Sequence, residues 1–316
     1  MPRRNGRNRS TPRRQKVIVG GRLLRVPNID GPECLADWME ASLLAQGARQ
    51  RIADADLQDA LEQAGRDKEE GLEHILQQFH HRSNAMGARY PIVRAGLGFR
   101  ARGPWQDHLC YSFLLFVSLN QSYGELNYRT GAREPAILFE ILTARALELF
   151  FSGTAIRIGA PRLAPVPGGF PAALAYLAAA IREPVRGDGG LERHGGGDDG
   201  LDIWLTKGFQ DERTSSVFVV AQCAIGEDWY AKRSELDLAL WYRHIDWFTP
   251  PLKAFAVPFQ INQDSWRETA TRGGLILDRP RIAQSVQPPH LPRPIVTRIR
   301  NWTRQRIART VREVNA

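Results

Sequence analysis

Four side chains in the second half of the chain have the types that metal-assisted chemistry on a phosphate needs. Glu140 lies in an apolar stretch, Asp202 belongs to the short alternating segment LDIWL, and Gln222 stands near the end of the apolar segment VFVVAQC. Lys232 is the first lysine after them. Carboxylate and amide oxygens are ligands that Mg²⁺ prefers. These residues could hold a divalent cation with an ammonium group beside it, provided that the fold brings them together.

Each of these residues also has a purely structural explanation. Glu140 lies on the apolar face of its predicted helix, where an unpaired carboxylate is costly, so a buried cation or a metal must lie opposite it. An ion pair with a core arginine would satisfy Glu140 as well as a metal would. Asp202 could be a turn residue, Gln222 could satisfy a backbone group at its strand end, and Lys232 could be an exposed helix residue.

The elements between residues 135 and 259 would have to position these side chains. Pro135 near the first turn and Gly153 past the end predict a helix over EPAILFEILTARALELFFSG. TAIRIG predicts a strand, FPAALAYLAAAIRE a helix, and LDIWL with VFVVAQC a hairpin. WYAKRSELDLALWYRHIDWF predicts one long helix with Asp228 as its N-cap, and KAFAVPF predicts a final strand. Residues 31–130 predict a mainly helical region, because four successive segments have helical or fully apolar patterns.

The basic charge of the chain is concentrated at its two ends. The net charge is +9, and residues 1–25 hold nine basic residues and no acid, whereas residues 292–316 hold seven arginines against one glutamate. The first end predicts a disordered tail with a polyanion partner, although a solubilising tail, an RNA or an anionic membrane surface would fit the same charge. PIVTRIRNWTRQRIARTVREV predicts a basic amphipathic helix that lies on the body of the protein, on DNA or on a partner. The residues expected to contact nucleic acid are Arg3, Arg4, Arg13, Arg14, Arg298, Arg300, Arg304 and Arg306.

The sequence lacks the features of membrane, secreted, disulfide-rich and zinc-binding proteins and of several common enzyme classes. No signal peptide and no run of about 18 apolar residues is present, so we expect a soluble cytoplasmic protein without a membrane partner. The three cysteines are far apart and lack metal-ligand spacing, which argues against a disulfide framework or a zinc site. The motifs GxxxxGK[ST], GxSxG and HExxH are absent.

The arrangement of the motifs resembles the PD-(D/E)XK restriction-endonuclease-like superfamily, and above all its Mrr-like nuclease core. In that core a helix with an F-E pair precedes a G-D-G-G-x-D strand and a strand that ends in Q-C-K. This chain has Phe139-Glu140, then GDDGLDI at 197–203, then Gln222-Cys223-Ala224. The resemblance implies an α/β (α+β) fold with an αβββαβ core and a mixed central sheet, preceded by the mainly helical N-terminal region.

The resemblance also implies roles for three of the side chains. Asp202 would be the central carboxylate ligand of Mg²⁺, with Mn²⁺ as a possible substitute. Gln222 would complete the ligand set through its carbonyl oxygen, and Glu140 would hold a metal-bound water or a second ion. Since glutamine is neutral, metal binding in the absence of DNA is expected to be weak.

The chain departs from the family pattern at the lysine, because Ala224 stands in its place. Lys232 is the expected replacement, since helical side chains lean toward the N-terminus of their helix and its ammonium could reach back to the end of the preceding strand. It would orient or deprotonate the attacking water, or neutralise the transition state. Lys207 in the hairpin turn is a weaker substitute.

The expected function is that of a Mg²⁺-dependent endonuclease that hydrolyses phosphodiester bonds in double-stranded DNA, in restriction or anti-phage defence. Two alternatives remain open. The fold could have lost its chemistry and serve as a DNA-binding or assembly subunit, for which Ala224 is the evidence, or the substrate could be RNA. A defence-system partner protein or a homo-oligomer is expected. The predicted organisation is a basic tail over 1–30, a helical region over 31–130, a nuclease domain over 131–260 and an extension over 261–316.

Overall fold

The computed structural model describes residues 23–28, 31–47, 51–122, 133–186, 199–211 and 213–314. The predicted basic tail with Arg3, Arg4, Arg13 and Arg14 lies outside these residues, and so does the glycine-rich segment 187–198. Over the described residues the protein has a mixed α/β structure with two β-sheets. No helix in this part of the chain combines the length and the apolar character that crossing a lipid bilayer requires.

The first part of the chain forms helices around a small antiparallel sheet. Its elements are α1 (Pro32–Gln46), β1 (Arg51–Ala53), α2 (Asp54–Gln63), α3 (Lys68–Met86), β2 (Ile92–Arg94), β3 (Gly98–Ala101) and α4 (Leu109–Ser122), with 3₁₀ turns at Gly87–Arg89 and Trp105–His108. The predicted helices are confirmed. The sheet, in the order β1-β3-β2, is not predicted by the sequence, because strands of three or four residues are too short to show an alternating pattern.

The second part of the chain forms a mixed five-stranded sheet with helices against it. Its elements are α5 (Arg133–Phe151), β4 (Thr154–Arg157), α6 (Phe170–Ile181), β5 (Ile203–Lys207), β6 (Val217–Cys223), α7 (Trp229–Lys232), α8 (Leu238–His244), β7 (Leu252–Ala256), α9 (Gln263–Gly273), β8 (Leu275–Leu277), α10 (Arg279–Ser285) and α11 (Arg293–Val314), with a 3₁₀ turn at Pro288–His290. The strands are in the order β4-β5-β6-β7-β8, antiparallel up to β6 and parallel beyond it. The predicted hairpin and the predicted order of the strands along the chain are confirmed, but β7 is followed by one further strand.

The prediction of one long helix after β6 is wrong. The segment forms two short helices, α7 and α8, with a break between them. Asp228 makes no side-chain cap hydrogen bond, whereas Asp237 accepts one from the N–H of Ala239 and begins α8. In the break, the ammonium of Lys253 on β7 donates to the carbonyl of Arg233 at 3.0 Å. A continuous helix would use that carbonyl for its own next turn.

The two faces of the five-stranded sheet belong to different apolar clusters. Val219 and Ala221 of β6 lie in the cluster that contains the buried side chains of α5, and this cluster continues into α1, α4, α10 and α11. Phe218 and Val220 lie in the cluster that contains α6 and Trp241. Alternate residues of a strand point to opposite faces, so the strand register places Gln222 in the row of Phe218 and Val220, away from α5.

A buried ion-pair network connects the N-terminal helices to α10. Arg279 donates to Oδ2 of Asp37 at 2.7 Å, and Arg82 donates to Oδ1 of Asp37 at 2.7 Å and to Glu40 at 2.6 Å. The hydroxyl groups of two buried tyrosines also donate to Glu40. Two carboxylates balance two guanidinium groups, which is the condition under which charges can be buried.

The C-terminal helix α11 packs on α4 through its apolar face. The rings of Trp302 and Phe113 meet edge to face with centroids 5.1 Å apart, and Ile299 is fully buried. Of the three environments predicted for this amphipathic helix, the body of the protein is the one that its apolar face occupies.

Candidate active site

Glu140 and Asp202 converge beside Gly159, just past the end of β4. A Cβ atom on Gly159 would lie 2.5 Å from Oε2 of Glu140 and 3.0 Å from Oδ1 of Asp202. Glu140 lies on α5 and Asp202 directly precedes β5, so the two carboxylates belong to separate elements of the fold. Both carboxylates therefore approach the α-carbon of Gly159 more closely than a side chain at residue 159 would allow.

The backbone of Asp202 is held by the strands on either side of it. Its N–H donates to the carbonyl of Ala221 at 3.0 Å, and its carbonyl accepts from the N–H groups of Ile158 at 2.7 Å and Gly159 at 3.2 Å. Oδ2 of its side chain accepts from the N–H of Cys223 at 2.7 Å. The ladder therefore fixes both the position and the orientation of this carboxylate.

Arg157 is a member of the site that the sequence analysis missed. Its Nε lies 2.5 Å from Oε2 of Glu140, and its Nη1 donates to the carbonyl of Pro161 at 2.8 Å. The Arg157 side chain is only 8% exposed. The ion pair that the sequence left open for Glu140 is thus present. The one signal for Arg157 is its place in the strand TAIRIG directly after the helix of Glu140.

Gln222 makes a different contact. Its Nε2 donates to Oε2 of Glu235 at 2.9 Å, and Glu235 precedes Leu236 of the apolar cluster on the other face of the sheet. Its Oε1 is buried and has no hydrogen-bond donor among the described residues. The carbonyl oxygen therefore lacks a donor, but the strand register directs Gln222 to the face of the sheet away from α5 and Glu140, so the structure does not bring it to the other predicted ligands in the way that a metal-ligand role requires. That role stays a prediction.

The two candidate lysines lie in separate places. The ammonium of Lys232 is 3.1 Å from Oδ2 of Asp228, one turn back on its own short helix, and its side chain is 34% exposed. The ammonium of Lys207 donates to the carbonyl of Ser152 at 2.6 Å. Lys207 thus lies at the end of β5 that is remote from Asp202. The catalytic role of Lys232 stays a prediction.

The thiol of Cys223 is a neutral neighbour of the carboxylates. Burial, and then the negative charges of Asp202 and Glu140, raise the pKa of this thiol well above its ordinary value. The cysteine is therefore protonated at neutral pH and is not a thiolate nucleophile.

The four arginines predicted on α11 divide into three groups. Arg300 and Arg304 are exposed, whereas Arg306 is 5% exposed. Arg298 binds Glu134 at the start of α5 through two hydrogen bonds of 2.9 and 2.8 Å. Arg300 and Arg304 are therefore the members of this set that a nucleic acid could reach without rearrangement.

The oxygen atoms beside Gly159 are of the type that a hard divalent cation uses, although Oε2 of Glu140 is paired with Arg157. Mg²⁺ is commonly held by one or two carboxylates together with waters and substrate phosphate oxygens, so it does not need a cage made only of protein ligands. Two convergent carboxylates meet this requirement. Within the described ranges no group of three or more His, Cys, Asp and Glu side chains is placed to hold a metal, so a protein-only cage is not found there.

Comparisons of the chain with family models, with curated proteins and with solved structures found no significant match.

Proposed function

We propose that this chain is a Mg²⁺-dependent nuclease with a restriction-endonuclease-like core, which hydrolyses phosphodiester bonds in DNA. The observation that carries the proposal is the convergence of Glu140 and Asp202 on the space beside Gly159. The order α5, β4, β5, β6, α8, β7, with α6 inserted after β4 and the short α7 before α8, and the mixed sheet agree with the αβββαβ pattern of such a core. The motif resemblance adds a role in restriction or anti-phage defence, with a partner protein or a second copy of the chain.

Asp202 and Glu140 would hold the Mg²⁺ ion, for which Mn²⁺ could substitute. When bound, the ion stabilises negative charge on the phosphate oxygens and lowers the pKa of a bound water. Arg157 already neutralises one of the two carboxylates, so the site presents little net negative charge. Metal binding is therefore expected to be weak without DNA, whose phosphate supplies further oxygen ligands.

Three further groups of the chain have proposed tasks. The N–H of Cys223 keeps Asp202 oriented. Arg157 is a buried guanidinium beside the carboxylates and can compensate charge that develops on a bound phosphate. Lys232 would orient or deprotonate the attacking water after leaving Asp228. An exposed ion pair of this kind contributes only about 0–1 kcal/mol, so this rearrangement costs little.

A second candidate function is a nuclease-fold subunit that binds nucleic acid and does not cut it. Two observations favour it: Arg157 pairs with Glu140 where a metal-dependent site would hold a cation, and Ala224 replaces the lysine of the family pattern. In that case the arginines on α11 and in the N-terminal tail would carry the activity, which would be binding to the phosphate backbone.

Plasmid DNA and single-stranded RNA, each with Mg²⁺ or EDTA, test both candidates. We expect the wild-type protein to cut DNA only with Mg²⁺, and we expect Asp202→Asn and Glu140→Gln to abolish cutting. Glu148→Gln is the matched control, because Glu148 lies on the same helix and pairs with Arg145. Cutting that survives both site substitutions contradicts the site. A gel shift with a steep salt dependence and no cutting supports the second candidate, and cutting of RNA alone reassigns the substrate.

A further inference from the structure

The first part of the chain contains two helices joined by a short turn and followed by a β-hairpin. Residues 64–67 connect α2 to α3, and Gly65 among them has φ 74°, a left-handed value that favours glycine. The two helices pack closely, since a Cβ atom on Gly71 of α3 would lie 2.7 Å from Cδ1 of Leu61 on α2. Two helices joined in this way form a helix-turn-helix, a unit that commonly binds duplex DNA.

The start of α3 is unsuited to the major groove of DNA. In a helix-turn-helix, the first turns of the second helix contact the base edges in that groove. The first turns of α3 carry three exposed acids, Glu69, Glu70 and Glu73, which the phosphate groups on both sides of the groove would repel. A contact with DNA must therefore come from another surface of this unit.

The hairpin of β2 and β3, residues 92–101 and here called the basic hairpin, has such a surface. Arg100 of β3 lies directly opposite Arg51 of the neighbouring strand β1, and both arginines are exposed. In the part of the chain that the structure describes, neither guanidinium group has a hydrogen bond or an ion pair. Like charges directly opposite each other destabilise an antiparallel pair. These two arginines therefore weaken the sheet unless an anion lies beside them.

The turn of the basic hairpin presents an apolar side chain beside these cations. Leu97 lies between Gly96 and Gly98 and is 77% exposed. The guanidinium group of Arg51 lies along the turn, because its Nη2 is 3.3 Å from the position of a Cβ on Gly96 and its Nε is 3.1 Å from that of a Cβ on Gly98. Proteins that bind the minor groove of DNA use this combination: arginines enter the groove, and a leucine can wedge between base steps.

The basic hairpin is attached to the start of α2. The N–H of Asp54 donates to the carbonyl of Leu97 at 3.2 Å, and Arg94 donates to both carboxylate oxygens of Asp54. The other acid in this first turn, Asp56, accepts from the N–H of Ala53 at 3.0 Å. Both acids near the turn are thus engaged with other groups. The attachment also fixes the turn before any partner binds, which lowers the entropic cost of binding.

We propose that the basic hairpin binds duplex DNA in the minor groove. Arg51 and Arg100 contact phosphate groups that border the groove, and Leu97 packs against the base edges inside it. The charge of the two arginines complements the phosphates, and the adjoining helix-turn-helix favours duplex DNA over other polyanions. The proposal concerns binding alone, so it does not depend on the nuclease function.

Fluorescence anisotropy with an A·T-rich DNA duplex, in EDTA and over a series of salt concentrations, tests the proposal without any Mg²⁺-dependent cutting. The double variant R51Q/R100Q should weaken binding and lower the slope of log K against log salt by about 2, because two phosphate contacts are lost. R51K/R100K keeps both charges and should retain the slope. Leu97→Ala should weaken binding without changing the slope, since leucine has no charge. Netropsin, which fills the minor groove, should compete with the wild-type protein.

The matched control is R267Q/R272Q, which removes two arginines from exposed positions on α9 and should keep the wild-type slope. A thermal melt should show R51Q/R100Q at least as stable as the wild type, because the variant removes a like-charge pair. The proposal is overturned if R51Q/R100Q leaves the slope unchanged, if the control lowers it equally, or if Leu97→Ala binds as the wild type does. Binding that netropsin does not affect would overturn the minor-groove assignment. Loss of binding to single-stranded RNA or phosphatidylserine vesicles, without loss for the duplex, would overturn the choice of DNA.

Discussion

Gly159→Ala is the most direct perturbation of the proposed metal site, because it adds one methyl group between the two carboxylates. The added carbon would lie 2.5 Å from Oε2 of Glu140, and ordinary contact begins at 3.4 Å. The carboxylate must therefore retreat by about 0.9 Å, and Oδ1 of Asp202 must also shift from its distance of 3.0 Å. Displacement of a catalytic group by about 1 Å can lower a rate by about 10²-fold.

We accordingly expect Gly159→Ala to lower the rate of Mg²⁺-dependent plasmid cutting by about 100-fold or more. Overpacking of this kind typically costs about 1–3 kcal/mol, so the variant should remain folded. Titration with Mn²⁺ in the presence of a DNA duplex should show weaker metal binding than in the wild type, and a thermal melt should verify folding.

The matched control for this variant is Gly168→Ala. A Cβ atom on Gly168 meets no atom within 4 Å. This control should cut DNA at the wild-type rate. If a folded Gly159→Ala protein cuts DNA and binds Mn²⁺ as the wild type does, the space beside Gly159 is not the metal site, and the reasoning from the two carboxylates fails.

Three further predictions concern stability and binding. Arg279→Met leaves the buried network one positive charge short and should lower the unfolding free energy in urea by about 3–5 kcal/mol. The control Arg272→Met, at an exposed ion pair, should change the unfolding free energy by no more than about 1 kcal/mol. Burial alone would raise the pKa of Asp37, but its two guanidinium partners lower this pKa below its ordinary value. The ionised carboxyl therefore stabilises the fold above its unfolded pKa of about 3.9, and this contribution is lost as the pH falls through the folded pKa. The unfolding free energy of Asp37→Asn, measured in urea, should therefore fall less than that of the wild type between neutral and acid pH. An equal fall in both proteins would contradict the lowered pKa of Asp37. The double variant R300Q/R304Q should lower the slope of log K against log salt for duplex DNA by about 2, and an unchanged slope would place the DNA elsewhere.

The elements that carry the candidate site could be predicted from local sequence. The helix of Glu140 has a proline at its start, a glycine past its end and a helical apolar period, and the two hairpin strands have short apolar patterns separated by a polar turn. These signals act within a few residues, through backbone hydrogen bonds and side-chain packing on neighbouring turns. The need of Glu140 for a cation was also readable, because its apolar helical neighbours predict burial.

Tertiary contacts decided the features that the sequence missed. The helix after β6 is interrupted where Lys253, from a later strand, takes the carbonyl of Arg233. The identity of the cation beside Glu140 depends on the packing of α5 against β4, which carries Arg157. Each partner lies in a different element from the group that it contacts, so no periodicity within a segment can indicate it.

The sequence by itself determined that an acid would be buried on α5, that a second acid would precede a hairpin strand and that the positive charge would lie at the chain ends. Only the tertiary structure decided that Glu140 and Asp202 share one space, that Arg157 joins them, and that the amide nitrogen of Gln222 turns to Glu235. The physical reason is the distance along the chain over which the two kinds of interaction act. Burial and periodicity follow from neighbours along the chain, whereas the partner of a buried charge is set by strand pairing and packing between segments that are distant in sequence.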